Sequence, residues 1–83
     1  MTLDVYFERS NGERILLKTV KEKTNKLSIH NIKELSNSTK VIEDFLKSHN
    51  YKSYYWNCSL YKNEMRVDVG SYTEFFYIKK RDD

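Results

Sequence analysis

The N-terminal part of the chain alternates apolar and polar residues, which is the pattern of a half-buried β-strand. Leu3, Val5 and Phe7 fall on one side of this strand, and polar or amphipathic residues separate them. The Asn11-Gly12 pair that follows is a strong signal for a hairpin turn, and a second alternating run comes after it. The pattern therefore predicts a β-hairpin over residues 2–20.

Side-chain pairing sets the expected register of this hairpin. A three-residue loop of Ser10, Asn11 and Gly12, with Gly12 in a left-handed conformation, places apolar side chains opposite each other and acids opposite bases. A slip of one residue would instead turn the apolar side chains to water. The predicted pairs are Phe7 with Ile15, Val5 with Leu17, Glu8 with Arg14, Asp4 with Lys18, and Tyr6 with Leu16.

An amphipathic helix is predicted over residues 37–49. Four residues with N-cap propensity, Ser36 to Thr39, precede apolar residues at helical spacing, and Asn50 is suited to a left-handed stop. The apolar stripe consists of Val41, Ile42, Phe45 and Leu46. The preceding residues 21–35 mix both periodicities and form a variable insertion, which leaves a short strand, a helical turn or a covering loop open.

A second β-hairpin is predicted over residues 51–80, where the alternation returns. Its turn is expected at Asn63-Glu64. On the core side we expect Leu60 opposite Val67 and Cys58 opposite Val69; on the other side we expect Tyr61 opposite Arg66 and Ser59 opposite Asp68.

Gly70 predicts a bulge or bend within this hairpin, after which residues 73–80 continue as strand. Because a bulge reverses the alternation, the pattern leaves open whether Phe75 and Tyr77 or Phe76 and Ile78 face the core. Together the elements predict one α+β domain over residues 1–83. Its sheet is antiparallel and four-stranded, with the chain order ββαββ and one helix packed on one face.

Composition narrows the class of protein. Of the 83 residues, 39% are hydrophobic and 33% are charged, which is typical of a globular domain rather than a disordered chain. No long apolar run or secretory signal pattern is present, so we expect no membrane association. The single cysteine excludes an internal disulfide. The net charge of +3 is dispersed along the chain, which makes nucleic acid a less favoured partner.

Few residues suit catalysis or metal binding. Cys58 falls on the predicted core face, where a thiol packs as a small hydrophobe, and His49 suits the helix end as a cation beside the dipole. For His30, in the insertion, the sequence leaves both a structural and a functional role open. Spacings typical of metal ligands and of phosphate-binding glycine loops are missing from the sequence. We therefore predict no catalytic residues, no metal site and no cofactor.

The sheet face opposite the helix is the predicted interaction surface. An uncovered aromatic patch usually marks a binding site, and Tyr and Arg dominate binding hot spots. The expected members are Tyr6, Leu16, Tyr51, Tyr55, Tyr61, Arg66 and Tyr72. Two alternatives compete with a partner on this face: it closes a homodimer, or residues 21–35 fold over it. The nearby carboxylates Asp68 and Glu74 are explained structurally if they accept hydrogen bonds from the amides of the bend.

Three stretches, Asp4–Arg14, Ile42–Tyr55 and Val67–Phe76, carry a resemblance to a known group of proteins. The last contains Val-Gly-Ser-x-Thr-Glu-Phe-Phe. The sequence resembles small, mostly uncharacterised proteins of phages and mobile elements of Gram-positive bacteria, apart from about residues 18–38. The resemblance implies action in the cytoplasm of an infected bacterium. It also points to Asp68, Ser71, Thr73 and Glu74 as a candidate functional corner.

The leading hypothesis is a non-enzymatic accessory protein that binds and inhibits a bacterial host protein. A defence component is the concrete partner, as for an anti-CRISPR-like inhibitor. One alternative is a sponge that sequesters a nucleotide immune signal between tyrosine rings and Arg66. Another is a single-stranded nucleic-acid-binding module that stacks bases on the aromatic face, although acids such as Asp4 and Glu8 would repel phosphates.

Overall fold

The computed structural model describes residues 1–51, 54–71 and 73–81 and contains one antiparallel sheet with helices on one side. Its elements in chain order are β1 (Thr2–Glu8), β2 (Arg14–Lys21), a 3₁₀ helix (Ile29–Glu34), α1 (Ser36–Ser48), β3 (Asn57–Tyr61), β4 (Glu64–Asp68) and β5 (Phe75–Lys80). The strand order across the sheet is β2-β1-β5-β4-β3. The α+β class is confirmed, but the described sheet has five strands rather than the predicted four.

The additional strand arises at Gly70. The chain reverses direction there, so the residues on either side form two neighbouring antiparallel strands, with Met65 opposite Ile78 and Val67 opposite Phe76. Gly70 has a φ of +105°, a conformation that glycine adopts without a steric penalty. The predicted bulge or bend is therefore a complete turn, and β5 inserts between β1 and β4. Phe76 and Ile78 are the residues that face the core, being 1% and 0% exposed.

The first hairpin follows the predicted register near its loop. Three pairs are confirmed: Phe7 with Ile15, Glu8 with Arg14, and Tyr6 with Leu16. The amide of Arg9 donates to the carbonyl of Glu13 across the three-residue loop, at 2.8 Å, and Gly12 has a φ of +88°.

Farther from the loop the predicted register is wrong. Leu17 forms a bulge, which places Val5 opposite Lys18 and Asp4 opposite Thr19. The shift lets the Thr19 hydroxyl donate to Asp4 Oδ1 at 2.6 Å. It also brings two buried side chains, Leu3 and Val20, opposite each other.

The β3–β4 hairpin is shifted by two residues from the predicted register. Its loop contains only Lys62 and Asn63, so Leu60 lies opposite Met65 and Cys58 opposite Val67. Tyr61 and Ser59, expected opposite Arg66 and Asp68, lie opposite Glu64 and Arg66. The turn lies one residue earlier than predicted, which places the fully buried Met65 opposite Leu60 rather than opposite Lys62. A two-residue shift keeps every side chain on its predicted face.

β3 is also shorter than expected, because it begins at Asn57 rather than at Tyr51. Tyr54 and Trp56 lie before it and contact each other edge to face, with ring centroids 6.1 Å apart. Both are half-buried and pack against the core.

Helix α1 covers one side of the sheet and begins one residue before the predicted start. Ile42 and Leu46 are fully buried, and Val41 and Phe45 pack beside them. Asn50 takes the expected left-handed conformation, with a φ of +60°. Within residues 21–35, Ile29–Glu34 form the 3₁₀ helix, which matches the helical-turn alternative, whereas Lys21 ends β2 and residues 22–28 lie between these two elements. The buried core side chains are Leu3, Val5, Phe7, Val20, Leu27, Leu35, Ile42, Leu46, Met65, Val67, Val69, Phe76 and Ile78. Over the described ranges, no helix has the length and apolar character needed to cross a membrane.

Candidate functional site: the open face of the sheet

The side of the sheet opposite α1 presents side chains from all five strands, and we call it the open face. One row of residues crosses its centre, with each residue opposite the next on the neighbouring strand. The row consists of Leu16, Tyr6, Tyr77, Arg66 and Ser59, from β2 through β1, β5 and β4 to β3. This arrangement follows from the alternation along each strand, which sends every second side chain away from the helix.

Arg14, on β2, contacts three other strands across the open face. Its guanidinium carbon lies 3.7 Å from the centre of the Tyr77 ring, and Nε donates to Glu8 Oε2 at 3.0 Å. Its Nη1 donates to Glu64 on β4. Burial alone would lower the pKa of Arg14, but the hydrogen bonds to Glu64 and Glu8 outweigh it and raise that pKa. Arg14 is therefore a fixed positive charge whose two carboxylate partners balance it.

Arg66 stacks on a second ring of the same face. Its guanidinium carbon lies 3.7 Å from the centre of the Phe75 ring. The side chain is exposed, and no ion pair joins it to a carboxylate in the described part of the chain. Arg66 thus presents a positively charged group whose orientation is held by an aromatic ring.

The open face is a mixed surface rather than a bare aromatic patch. Guanidinium groups cover part of the Phe75 and Tyr77 rings, and Tyr6 is half-buried. Large apolar side chains are exposed toward the two sheet edges, where Leu16 is 48% and Tyr61 is 73% exposed. Among the described residues, neither helix covers this side, so the alternative in which residues 21–35 fold over it is wrong.

The structure brings together only some of the predicted site residues. Tyr6, Leu16, Tyr61, Arg66 and Asp68 belong to the open face. Tyr55 does not, because it precedes β3 and its ring packs on Gly70, where a Cβ atom would lie 2.9 Å from Tyr55 Cε1. Tyr51 also lies outside the sheet. Tyr72 lies outside the described residues.

The corner residues Asp68, Ser71 and Glu74 hold the β4–β5 loop together. The amide of Gly70 donates to Asp68 Oδ1 at 2.9 Å, and the amide of Glu74 donates to Ser71 Oγ at 3.1 Å. The Tyr51 hydroxyl donates to Glu74 at 3.3 Å. Burial, followed by the charge of Glu74, raises the pKa of Tyr51. The structural explanation is met by Asp68, which accepts from a loop amide, whereas Glu74 accepts from the Tyr51 hydroxyl and the other loop amides bond to Ser71.

A groove beside this loop has a composition that bears on the nucleotide alternative. Its described lining is entirely uncharged: Tyr51, Tyr54, Tyr55, Val69, Gly70, Ser71 and Thr73. Phosphate groups are usually held by Arg, Lys or a helix N-terminus. The groove therefore offers tyrosine rings to a nucleotide base but no charged side chain, within the described residues, to its phosphate.

Cys58 and His49 have environments that a structural role explains. Cys58 is half-buried, and burial raises the pKa of its thiol, which opposes formation of the nucleophilic thiolate. His49 Nδ1 lies 2.9 Å from the carbonyl oxygen of Phe45, and the two rings stack at 3.9 Å. In the parts of the chain that the structure describes, no three His, Cys, Asp or Glu side chains are grouped as metal ligands would be.

Arg14, Phe75 and Tyr77 are prominent members of the open face that the sequence did not indicate as site residues. Pairing of Arg14 with Glu8 was predicted, but its reach over β5 was not. The two aromatic residues could have been assigned if Gly70 had been recognised as a complete turn, since the loop fixes the alternation of β5.

Comparisons with known proteins identify no relative of this chain. No family model, no curated protein and no solved structure matches the chain. The resemblance to phage and mobile-element proteins stays a prediction.

Proposed function

We propose that the protein is a non-enzymatic binding module that docks another protein on the open face of its sheet. The observation that carries the proposal is the central row, in which exposed Leu16 and exposed Arg66 flank two tyrosines. Arginine held on an aromatic ring beside apolar contact area is typical of binding hot spots. The complementary partner surface carries an acidic side chain for Arg66 next to apolar side chains for Leu16 and Tyr6.

The charge distribution favours protein over nucleic acid as the partner. The open face carries the basic residues Arg14, Lys21, Arg66 and Lys79, interleaved with the acids Asp4, Glu8, Glu64 and Asp68, and Arg81 donates to Asp4. Single-stranded nucleic acid is held mainly through its phosphates, which require a net positive track. Balanced charge instead suits a protein surface of alternating sign, where it contributes to specificity.

The biological role proposed for this module is inhibition of a bacterial host protein, most concretely a component of a defence system. Its support is the resemblance of residues 4–14, 42–55 and 67–76 to proteins of phages and mobile elements. A small domain that covers a functional surface of its target can inhibit without chemistry of its own. The protein then acts in the bacterial cytoplasm.

The proposal is tested by comparing variants of the open face with a variant of the opposite side. The purified protein is immobilised and incubated with lysate of a Gram-positive host, and the captured protein is identified by mass spectrometry. We expect Arg66→Ala and Leu16→Ala to weaken binding of the captured protein by about tenfold or more each, as hot-spot truncations do. Lys47→Ala, at an exposed position on α1, is the matched control and should bind as the wild type does.

The same variants separate the inhibitory role from simple binding. Expression of the wild-type protein in a host with an active defence system should restore phage plating, and Arg66→Ala should reduce that restoration. Equal capture by wild type and the Arg66→Ala/Leu16→Ala double variant would contradict use of the open face. Tight binding of single-stranded RNA or DNA with a steep loss of affinity in salt would favour the nucleic-acid alternative instead.

A further inference from the structure

Strand β3 forms a free edge of the sheet. It pairs with β4 on one side, and no neighbouring strand follows it in the sheet order. No hydrogen bond to the main chain of Asn57–Tyr61 comes from outside the β3–β4 pairing, as far as the described residues show. A free edge presents unsatisfied N–H and C=O groups to a pairing strand.

The register shows which main-chain groups point outward. The amide of Lys80 donates to the carbonyl of Asn63 at 2.9 Å, so residues 63, 65 and 67 direct their main-chain groups toward β5. The alternate β4 residues therefore face β3 and bond to Tyr61, Ser59 and Asn57. The main-chain groups of Cys58 and Leu60 consequently point away from the sheet.

The two edges of the sheet differ in how they are protected. β2, the opposite edge, carries Lys18 and Lys21 and is distorted by the Leu17 bulge, and both features discourage pairing. β3 has no charged residue and an unbroken register with β4. Leu60 and Tyr61 on β3 are also exposed large apolar side chains. The 3₁₀ helix lies close to β3, but the exposed Leu60 and Tyr61 and the lack of charge make β3 the edge better suited to accept another strand.

We propose that β3 pairs antiparallel with β3 of a second copy, about a two-fold axis at Ser59. In this register Cys58 lies opposite Leu60 of the second copy, and Leu60 opposite its Cys58. Each outward N–H and C=O of these two residues then meets its counterpart, which gives four main-chain hydrogen bonds. No charged residue of β3 faces another, because the strand contains none.

A second copy fits this edge because β3 is complementary to itself in the register centred on Ser59. Registers centred on Cys58 or Leu60 would pair only one of the two outward-facing residues in each copy, whereas the register centred on Ser59 uses both. Its side-chain pairs are also compatible, since apolar Cys58 and Leu60 meet on the helix side and Ser59 meets Ser59 on the other. Closed two-fold dimers are the commonest homo-oligomers.

Paired β3 strands would join the two five-stranded sheets into a single ten-stranded sheet. Opposite residues in a strand pair point to the same face of the sheet. Both open faces would then lie on one side of the dimer. The proposed docking surface would stay available and would be present twice. The edge pairing therefore goes beyond the proposed function and does not depend on it.

Engineered cysteines test the register directly. Ser59 opposes itself in a pair without main-chain hydrogen bonds, for which the Cα separation is about 4.5 Å, within the range of about 4.4–6.8 Å that disulfides adopt. We expect Ser59→Cys, in a Cys58→Ser background, to form a disulfide-linked dimer rapidly under mild oxidation. Asn57→Cys in the same background is the control. Its two copies would be offset by four residues, or about 14 Å along the strand, and should stay thiols.

Solution mass provides the second test. A five-residue strand pair is a small interface, so we expect the wild-type mass to rise from one toward two copies between micromolar and millimolar concentration. Ser59→Glu should remain a monomer, because two like charges would meet at the axis while each faces Arg66 within its own chain. A wild type that stays monomeric throughout overturns the proposal, as does equal cross-linking by the two cysteine variants. Dimerisation of Ser59→Glu like the wild type overturns it too.

Discussion

Glu22 caps the start of α1 through Ser38. Its Oε2 accepts hydrogen bonds from the Ser38 amide and from the Ser38 hydroxyl, both at 3.0 Å, and all three groups are buried. The first residues of a helix have free N–H groups and a partial positive charge, both of which a carboxylate satisfies. A residue that lies in the insertion, 16 positions before its partner, thus supplies the cap that a local serine or threonine was expected to provide.

Replacement of Glu22 should therefore destabilise the protein more than replacement of an exposed glutamate. We expect Glu22→Ala to lower the free energy of unfolding by about 1–3 kcal/mol, because a buried amide and hydroxyl lose a charged acceptor. Glu22→Gln keeps one acceptor oxygen and should lose less. Urea denaturation measures the change. Glu34→Gln, at an exposed position, is the control and should leave the midpoint unchanged; an equal loss in both would contradict the cap.

The hydrogen bonds and charges around Asp4 predict that the free energy of unfolding depends on pH. Burial alone would raise the pKa of Asp4, but hydrogen bonds from Thr19 and Arg81, with the charges of Arg81 and Lys79, outweigh it and lower that pKa. A carboxyl whose pKa falls on folding stabilises the native state above its unfolded pKa of about 3.9, and this contribution is lost as the pH falls through the folded pKa. Asp4→Asn should thus lower the unfolding free energy near neutral pH.

The decisive measurement for Asp4 is the difference between wild type and Asp4→Asn over a pH series. We expect that difference to be constant at neutral pH and to shrink under strongly acidic conditions, where the wild-type carboxyl becomes protonated. Asp44→Asn is the matched control, since the contact of Asp44 with Lys40 on the same helix is exposed. A pH-independent difference for Asp4→Asn would show that its charge does not stabilise the fold.

Local pattern was sufficient for part of the fold. Alternation with Asn11-Gly12 predicted the first loop and three of its pairs, and apolar spacing predicted α1 within one residue of its observed ends. These features depend on neighbours in sequence, which the pattern records. The face of each residue in β3 and β4 was also predicted, because an even shift in register preserves alternation.

The incorrect predictions share a physical cause, which is competition from contacts distant in sequence. Met65 is buried between Leu60 on β3 and Ile78 on β5, and Gly70 turns fully because β5 fits between β1 and β4. Burial of such residues decides the register, although Asn63-Glu64 alone favoured another turn. The open face was anticipated through Tyr6 and Arg66. The bridge that Arg14 makes across this face was not anticipated, because its partner Glu64 lies 50 residues away in the sequence.

Arg14→Lys should destabilise the sheet even though it conserves charge. A lysine cannot make the two separate contacts to Glu8 and Glu64 while stacking flat on Tyr77. We expect a loss of about 1 kcal/mol, kept modest because the side chains are partly exposed to solvent. Arg9→Lys is the control, because its contact with Glu13 is exposed and should contribute little. Equal thermal midpoints for Arg14→Lys and the wild type would contradict the bridge.

The two glycines should respond differently to alanine. Both have positive φ values, so Gly12→Ala and Gly70→Ala each incur backbone strain of about 1 kcal/mol. A Cβ at Gly12 meets no atom within 4 Å, whereas at Gly70 it meets the Tyr55 ring. We expect Gly70→Ala to be the more destabilising, with an excess that disappears in the Tyr55→Ala background. A double-mutant cycle measures this coupling, and additive effects would show that the ring moves aside without loss.

Lys62 should be a position where the natural residue is not the most stable one. It is the first residue of the two-residue β3–β4 loop and has a φ of +58°, a conformation that costs a non-glycine residue about 1–2 kcal/mol. Glycine removes this strain but loses more chain entropy on folding, so we expect Lys62→Gly to raise the unfolding free energy by about 0.5–1 kcal/mol. Asn63→Gly, in the same loop without a positive φ, should gain nothing. Both variants remove a side chain from the same exposed turn. If only Lys62→Gly is more stable than the wild type, the backbone conformation and not side-chain removal is responsible. Equal changes in unfolding free energy for the two variants would contradict the tight loop on which the β3 register depends.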